Sequence, residues 1–340
     1  MTVDYQLSAL SGDLKKLKNP IDEKGYIVDQ SVYPYINRVV EQQERYLKVE
    51  KILDISTDVH LRDHVVKGNY VFAGVSHIEL FVEMGKLLGE MLGEQWYLYE
   101  AEKIELKEFI KYFTQNELKL YGELNIKENN DRYVKIECRL LSDFKNSKGI
   151  VLLKNRLHSY GKFTFIKEKK ITICKKRDVK RLLRGSVELN LAEYYEQTDS
   201  SIHFGELFRS LIYTRKINRS EFIGKVVAVD DSKLFTNIKQ ANTFMFPITM
   251  DCIGRVALMG IFNEYGIIAV PIELSNIKMQ RDIRRLELLY SYIKVVKIED
   301  ENVFIDQEII DQDDNVIGKV DLTLHVISKI KNHNLEIQMD

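Results

Sequence analysis

Residues 58–93, DVHLRDHVVKGNYVFAGVSHIELFVEMGKLLGEMLG, decide the fold. The stretch reads as a short strand, a histidine, a tight glycine turn and one long apolar helix. His64 precedes Gly68 by four residues, and Ala73-Gly74 opens the helix. Ile78, Phe81, Val82, Met84, Leu87, Leu88, Met91 and Leu92 recur at spacings that keep a broad stripe apolar. Such a stripe is wide enough for a helix enclosed by protein on most sides. A histidine held at the N-terminal end of an enclosed helix suits acid–base chemistry.

Working outward, residues 1–45 are polar and charged, with Pro20 and Pro34, and read as an arm or linker with a short helix near 36–45. Leu47, Val49, Ile52 and Leu53 then alternate as a strand. After the helix, strands are expected at 96–99, 103–106, 117–127, 132–142 and 159–166, with residues 128–131 as a hairpin turn. Val134, Ile136 and Cys138 alternate with charged residues, as in an antiparallel sheet with one wet face. A basic bridge follows, then a helix at 189–198 and strands at 211–218, 221–229 and 234–235. Phe246-Pro247-Ile248 leads into a second apolar helix near 249–262. Strands at 267–277, 288–298, 302–310 and 316–326 complete the pattern.

The halves thus repeat one plan of strand, long apolar helix and antiparallel meander. Residues 46–170 and 185–328 each predict a curved sheet around a helix. Residues 171–184 would connect them, 329–340 would be a polar tail, and the two sheets would extend across a common seam.

Composition narrows the function. Fifty basic against 51 acidic residues leave no global field for nucleic acid. The run at Lys175, Lys176, Arg177, Lys180 and Arg181 reads as a solvated face before it reads as a site for an acidic partner. Cys138, Cys174 and Cys252 show no metal spacing and cannot all pair, which suits a reduced, cytoplasmic protein. No apolar run approaches membrane length, no signal-peptide pattern occurs, and no HExxH is present, so neither a membrane nor a metal site is expected.

The residues resemble the dehydratase domains of modular polyketide synthases. His64, Gly68 and Ala73-Gly74 match that family's histidine, x-x-x, glycine, x-x-x-x, proline-glycine pattern, with alanine in the proline's place. His158-Ser159-Tyr160-Gly161 resembles the close of its first half. Phe204-Gly205-Glu206-Leu207-Phe208 resembles its tyrosine-glycine-x-x-phenylalanine turn, with Phe for Tyr. Pro247 through Asp251 to Arg255 resembles its second catalytic stretch, with arginine where glutamine or histidine is usual. Val270-Pro271-Ile272 and the segment from Asp306 to Gly318 resemble its last strands. The likeness covers residues 46–327.

The resemblance implies an α+β double hot dog: two antiparallel sheets, each wrapped around a long central helix, with one site between them. His64 would be the base that removes the proton beside a thioester carbonyl, and Asp251 the acid that protonates the departing hydroxyl. The Gly74 N–H at the helix N-terminus would bind the developing oxyanion. Gly68, Phe204, Gly205, Phe208 and Arg255 would line or shape the substrate tunnel. The substrate would be a 3-hydroxyacyl chain on the phosphopantetheine of an acyl carrier protein, so the protein would need no cofactor of its own. Its partners would be the carrier and other polyketide synthase domains; a homodimer is allowed.

Simpler readings compete. A lone histidine beside a glycine turn is more often structural, and an aspartate at a helix start is usually a cap. The joint placement of His64 and Asp251 at corresponding points of two similar units favours chemistry. His60, His77, His158 and His203 read as structural or surface residues. Two other functions stay open. One is double-bond isomerisation or ring closure by oxa-conjugate addition, to which Ala73 and Arg255 point. The other is a silent domain that docks a carrier. Asp251 and Arg255, four apart, share a helix face. An arginine paired to the aspartate would favour its ionised form and the cyclase or isomerase reading. An arginine bent away would leave dehydration open.

Overall fold

The computed structural model describes residues 25–112, 118–145, 150–168, 175–199 and 201–330. The expected arm up to residue 24, Cys174 and the tail beyond 330 lie outside the described residues. The first half runs β1 (Tyr26–Ile27), β2 (Arg38–Gln43), β3 (Tyr46–Leu53), β4 (His64–Val66), β5 (Asn69–Phe72), α1 (Gly74–Met91), β6 (Tyr97–Leu106), β7 (Ile110–Tyr112), β8 (Leu118–Asn129), β9 (Tyr133–Lys145) and β10 (Val151–Ile166). The second half runs α2 (Val179–Leu183), β11 (Val187–Glu188), α3 (Leu191–Thr198), β12 (Ile202–Phe204), β13 (Leu211–Lys216), β14 (Glu221–Val227), α4 (Pro247–Tyr265), β15 (Ile267–Met279), β16 (Leu288–Glu299), β17 (Asn302–Ile310) and β18 (Val316–Lys329).

The alternating strands and the two apolar helices meet in a double hot dog. Val134, Ile136, Cys138 and Leu140 of β9 turn inward, while Lys135, Glu137 and Arg139 between them face out or partly out. Asn130 closes the expected hairpin turn: its side-chain oxygen accepts from the backbone N–H of Arg132 at 2.9 Å and of Tyr133 at 3.0 Å. Leu80, Phe81, Val82, Met84 and Leu88 of α1 are fully buried, as are Ile253, Val256, Ala257, Met259 and Ile261 of α4. The seam forms where β6 pairs antiparallel with β15, from Glu105↔Glu273 to Ala101↔Ile277. It joins both meanders into one sheet of 14 strands, in the order β1-β2-β3-β8-β9-β10-β6-β15-β18-β17-β16-β14-β13-β11. A second sheet, β12-β4-β5-β7, also draws on both halves. No helix among the described residues is long and apolar enough to cross a membrane.

Several local expectations are corrected. The helix near 36–45 is instead strand β2, hairpinned to β3 with Val39 opposite Val49, because burying Val39 in the sheet outweighs the helix propensity of its Glu and Gln neighbours. Residues 25–45 are therefore not a linker: Tyr35 and Ile36 are fully buried in the first hot dog. The strands at 96–99 and 103–106 are one continuous β6. The strand expected at 234–235 is reduced to a lone bridge from Phe235 to Asp58, and a short helical turn, Asp231–Lys233, precedes it. The basic run is partly structural, since Arg177 pairs with Glu308 at 2.6 Å and lies over the Tyr292 ring.

Candidate active site

His64 is set in place by a tight hairpin. Lys67 (φ 48°) and Gly68 (φ 74°) both adopt the left-handed conformation and form the two-residue turn from β4 to β5. Gly68 therefore shapes the turn and does not line the cavity, which corrects its expected place in the substrate tunnel. The His64 Nδ1 lies 3.2 Å from the Val71 carbonyl oxygen. A carbonyl only accepts, so Nδ1 carries the proton and Nε2 is left with its lone pair. Burial pushes the His64 pKa below the ordinary value, and the Asp251 carboxylate opposes that shift in part. The imidazole is therefore neutral near pH 7, the form a base requires.

Strand β12 of the second half pairs with β4 in register Phe204↔His64. The Phe204 ring meets the imidazole edge-on with centroids 5.7 Å apart, and the Phe208 ring lies 5.2 Å away on a tilt. Asp63, which the sequence reading passed over, locks this arrangement. Its carboxylate accepts from the Leu207 N–H at 2.8 Å and its carbonyl from the Gly205 N–H at 2.8 Å. A Cβ at Gly205 would sit 2.3 Å from the Asp63 carboxyl carbon. Gly205 is thus needed for close approach to the residue beside His64 and is not a tunnel residue.

Helix α4 supplies the other half of the site. Phe246 turns the chain with φ 50°, and Pro247 opens the helix. A cavity of about 330 Å³ lies between the halves, and His64, Gly74, Phe204 and Asp251 all line it. Its other walls are largely apolar, among them Leu106, Met250 and Leu258. Gly74 is the first residue of α1, so its N–H has no acceptor within the helix. Arg255 and Phe208 do not line the cavity but stand behind it. The fully buried Arg255 guanidinium donates to the Asp251 carboxylate and to the Phe208 carbonyl, and stacks 3.6 Å over the Phe204 ring. The arginine therefore points at the aspartate.

The four histidines expected to be structural or surface residues divide. His77 lines the cavity, yet it is neutral: burial pushes its pKa down to about 3, and its Nδ1 lies 3.1 Å from Ser159 Oγ. His60 and His158 are buried against Leu234 and Ser142 respectively, and His203 faces outward beside Asp199.

A second residue without a sequence signal is Glu79 on α1. Its two carboxylate oxygens accept the N–H groups of Phe244 and Met245, each at 2.7 Å. It thereby anchors the segment that leads into α4 and Asp251. Burial raises the Glu79 pKa to about 8, against the pull of those two donors. The folded state thus holds a proton that the unfolded chain releases from about pH 4.5 upward. The Glu79 contribution to stability is complete below that range and is lost as pH rises through about 8. Glu79→Gln is expected to flatten this fall, measured as the unfolding midpoint against pH from 5 to 9. An equally steep fall in the variant would overturn the assignment.

Ala73, at the N-cap of α1, has φ −62° and ψ 144°, within the range proline fixes. Ala73→Pro is expected to stabilise the protein by about 0.4–1 kcal/mol through the unfolded chain. A lowered thermal midpoint would show that the pyrrolidine ring does not fit beside Phe72.

No family model and no curated relative matches the chain. Solved structures do. The dehydratase domain from the CurF module of the curacin polyketide synthase superposes with TM-score 0.70 at 13% identity, covering 87% of this chain and 99% of that one. The dehydratase domain of RzxB from Pseudomonas fluorescens gives 0.66 at 14% identity, over 86% and 98%. The dehydratase domain from the terminal module of the rifamycin polyketide synthase gives 0.64 at 14%, over 93% and 100%. The chain has the double hot dog fold of polyketide synthase dehydratase domains.

Proposed function

We propose that the protein is a dehydratase that eliminates water from a 3-hydroxyacyl thioester carried on the phosphopantetheine of an acyl carrier protein, giving the 2-enoyl thioester. The observation that carries this reading is the meeting of His64, with a free Nε2, and Asp251, from the other half, in one largely apolar cavity. His64 Nε2 takes the proton beside the thioester carbonyl, and the electron pair moves onto the carbonyl oxygen. The Gly74 N–H and the N-terminus of α1 stabilise that oxyanion. As the carbonyl re-forms, the carbon–oxygen bond at carbon 3 breaks and the hydroxyl leaves as water with a proton from Asp251. The substrate brings its own phosphopantetheine arm, so no further cofactor takes part. Partners would be the carrier protein and other polyketide synthase domains. A cytoplasmic setting fits the buried free thiols of Cys138 and Cys252.

One observation favours a second reading. Asp251 is paired with a buried, permanently charged arginine. A carboxylate so oriented can accept the proton of a hydroxyl nucleophile. That suits ring closure by conjugate addition onto an enoyl thioester, or migration of a double bond. Incubation with 3-hydroxyacyl, 2-enoyl, hydroxylated 2-enoyl and 3-enoyl carrier thioesters separates these activities by mass and ultraviolet spectrum. Water loss from the first alone supports dehydration, and cyclised or shifted products support the second reading. Carrier binding without turnover of any of them would leave a docking role and sink both.

A further inference from the structure

Strand β17 turns Val303, Ile305, Gln307 and Ile309 toward the core, and all are buried. Three are aliphatic. The fourth, Gln307, lines the cavity beside Val320, its cross-strand partner on β18. Its amide is fixed in direction. Nε2 lies 2.7 Å from the Ile253 carbonyl oxygen and 2.7 Å from Ser291 Oγ, while Ser291 Oγ itself donates to the same carbonyl at 3.1 Å. A carbonyl cannot donate, so the atom facing Ile253 is the nitrogen, and both its hydrogens are engaged. The amide oxygen remains as the acceptor on the other side.

The path from Asp251 leads there. Asp251, Gly254 and Leu258 share the cavity face of α4. A Cβ at Gly254 would meet nothing within 4 Å, so the space above it is open. Gln307 is tied to the carbonyl of Ile253, next to Gly254 and two residues, roughly 3 Å of helix rise, beyond Asp251.

We infer that Gln307 is a specificity residue whose amide oxygen accepts a hydrogen bond from a hydroxyl on the distal part of the acyl chain, so that the tunnel selects a hydroxylated chain over a plain alkyl one. The two bonds that brace the side chain use only the amide nitrogen, so the oxygen is the part of it left for a ligand. The inference rests on the proposed acyl-thioester function.

The test uses the full chain with pantetheine thioesters of one length. One is the plain 3-hydroxyacyl compound; the others carry a second hydroxyl moved one carbon at a time along the distal half. The expected result is a preference of about three- to tenfold in kcat/KM for one hydroxyl position, the scale of one net hydrogen bond. Gln307→Leu, checked for an intact thermal transition, is expected to bring that ratio to one. Wild-type protein that turns over the plain chain and prefers no hydroxylated one overturns the inference while the acyl-thioester function stands, and this arm does not depend on the variant folding. A preference that survives Gln307→Leu also overturns it. Folded wild-type protein that neither binds nor turns over any of these thioesters overturns both.

Discussion

Replacing His64 with alanine is expected to lower turnover of a 3-hydroxyacyl carrier thioester by about 10²–10⁴-fold, the usual contribution of a general base. The fold should survive, because the imidazole is held by one hydrogen bond to the Val71 carbonyl and by ring contacts with Phe204 and Phe208. The wild-type rate carries a signature that the variant lacks. Burial holds the His64 pKa below the ordinary histidine value, so the base stays unprotonated through neutral pH and is lost only on acidification below that value. The acid limb of the pH–rate profile should therefore fall at a pH lower than a free histidine would give, and His64→Ala should lack it. A folded variant within a few-fold of wild type would remove His64 from the mechanism.

The same residue shows what a sequence makes legible. The β4–β5 turn, the length of α1 and the meander of each half follow from local periodicity, and local periodicity is written in consecutive residues. Phe204 beside His64 is not, because it depends on strand β12 crossing from the other half to pair with β4. Motif order brought His64 and Asp251 together as candidates. It also gave Gly68 and Gly205 to the substrate, although one makes a turn and the other makes room for Asp63. A glycine required by backbone geometry and one required by a ligand look identical in a sequence. Glu79 and Gln307 were illegible for a different reason. A carboxylate or an amide amid apolar residues reads as a solvated position until the packing shows N–H and C=O groups converging on it. The helix expected near 36–45 failed where strand pairing, a non-local interaction, overrode propensity.

Arg255→Gln carries the second large effect. The guanidinium is fully buried and holds the Asp251 carboxylate, the Phe208 carbonyl and the Phe204 ring at once. An ion pair four residues apart on a helix surface is worth little, but this one is withdrawn from water on the arginine side. Removing the acid alone, as in Asp251→Ala, leaves an uncompensated buried charge and is expected to cost about 3–5 kcal/mol of stability. Glutamine at 255 removes the charge itself. Its amide can still donate to Asp251 and orient it, and the aspartate, 20% exposed at the cavity, keeps access to water. Glutamine leaves the Asp251 carboxyl with a neutral partner in place of a permanent cation. Water elimination from the 3-hydroxyacyl thioester is therefore expected to speed up by about tenfold or more, within the range general acids supply. Ring closure of a hydroxylated enoyl thioester should slow by a similar factor, because the charge that holds its carboxylate in place is gone. Opposite movement of the two rates would identify the arginine as the group that sets the direction of the chemistry. Identical pH–rate profiles in the two proteins would show that Arg255 does not govern the charge on Asp251, and dehydration would then stand as the simpler reading.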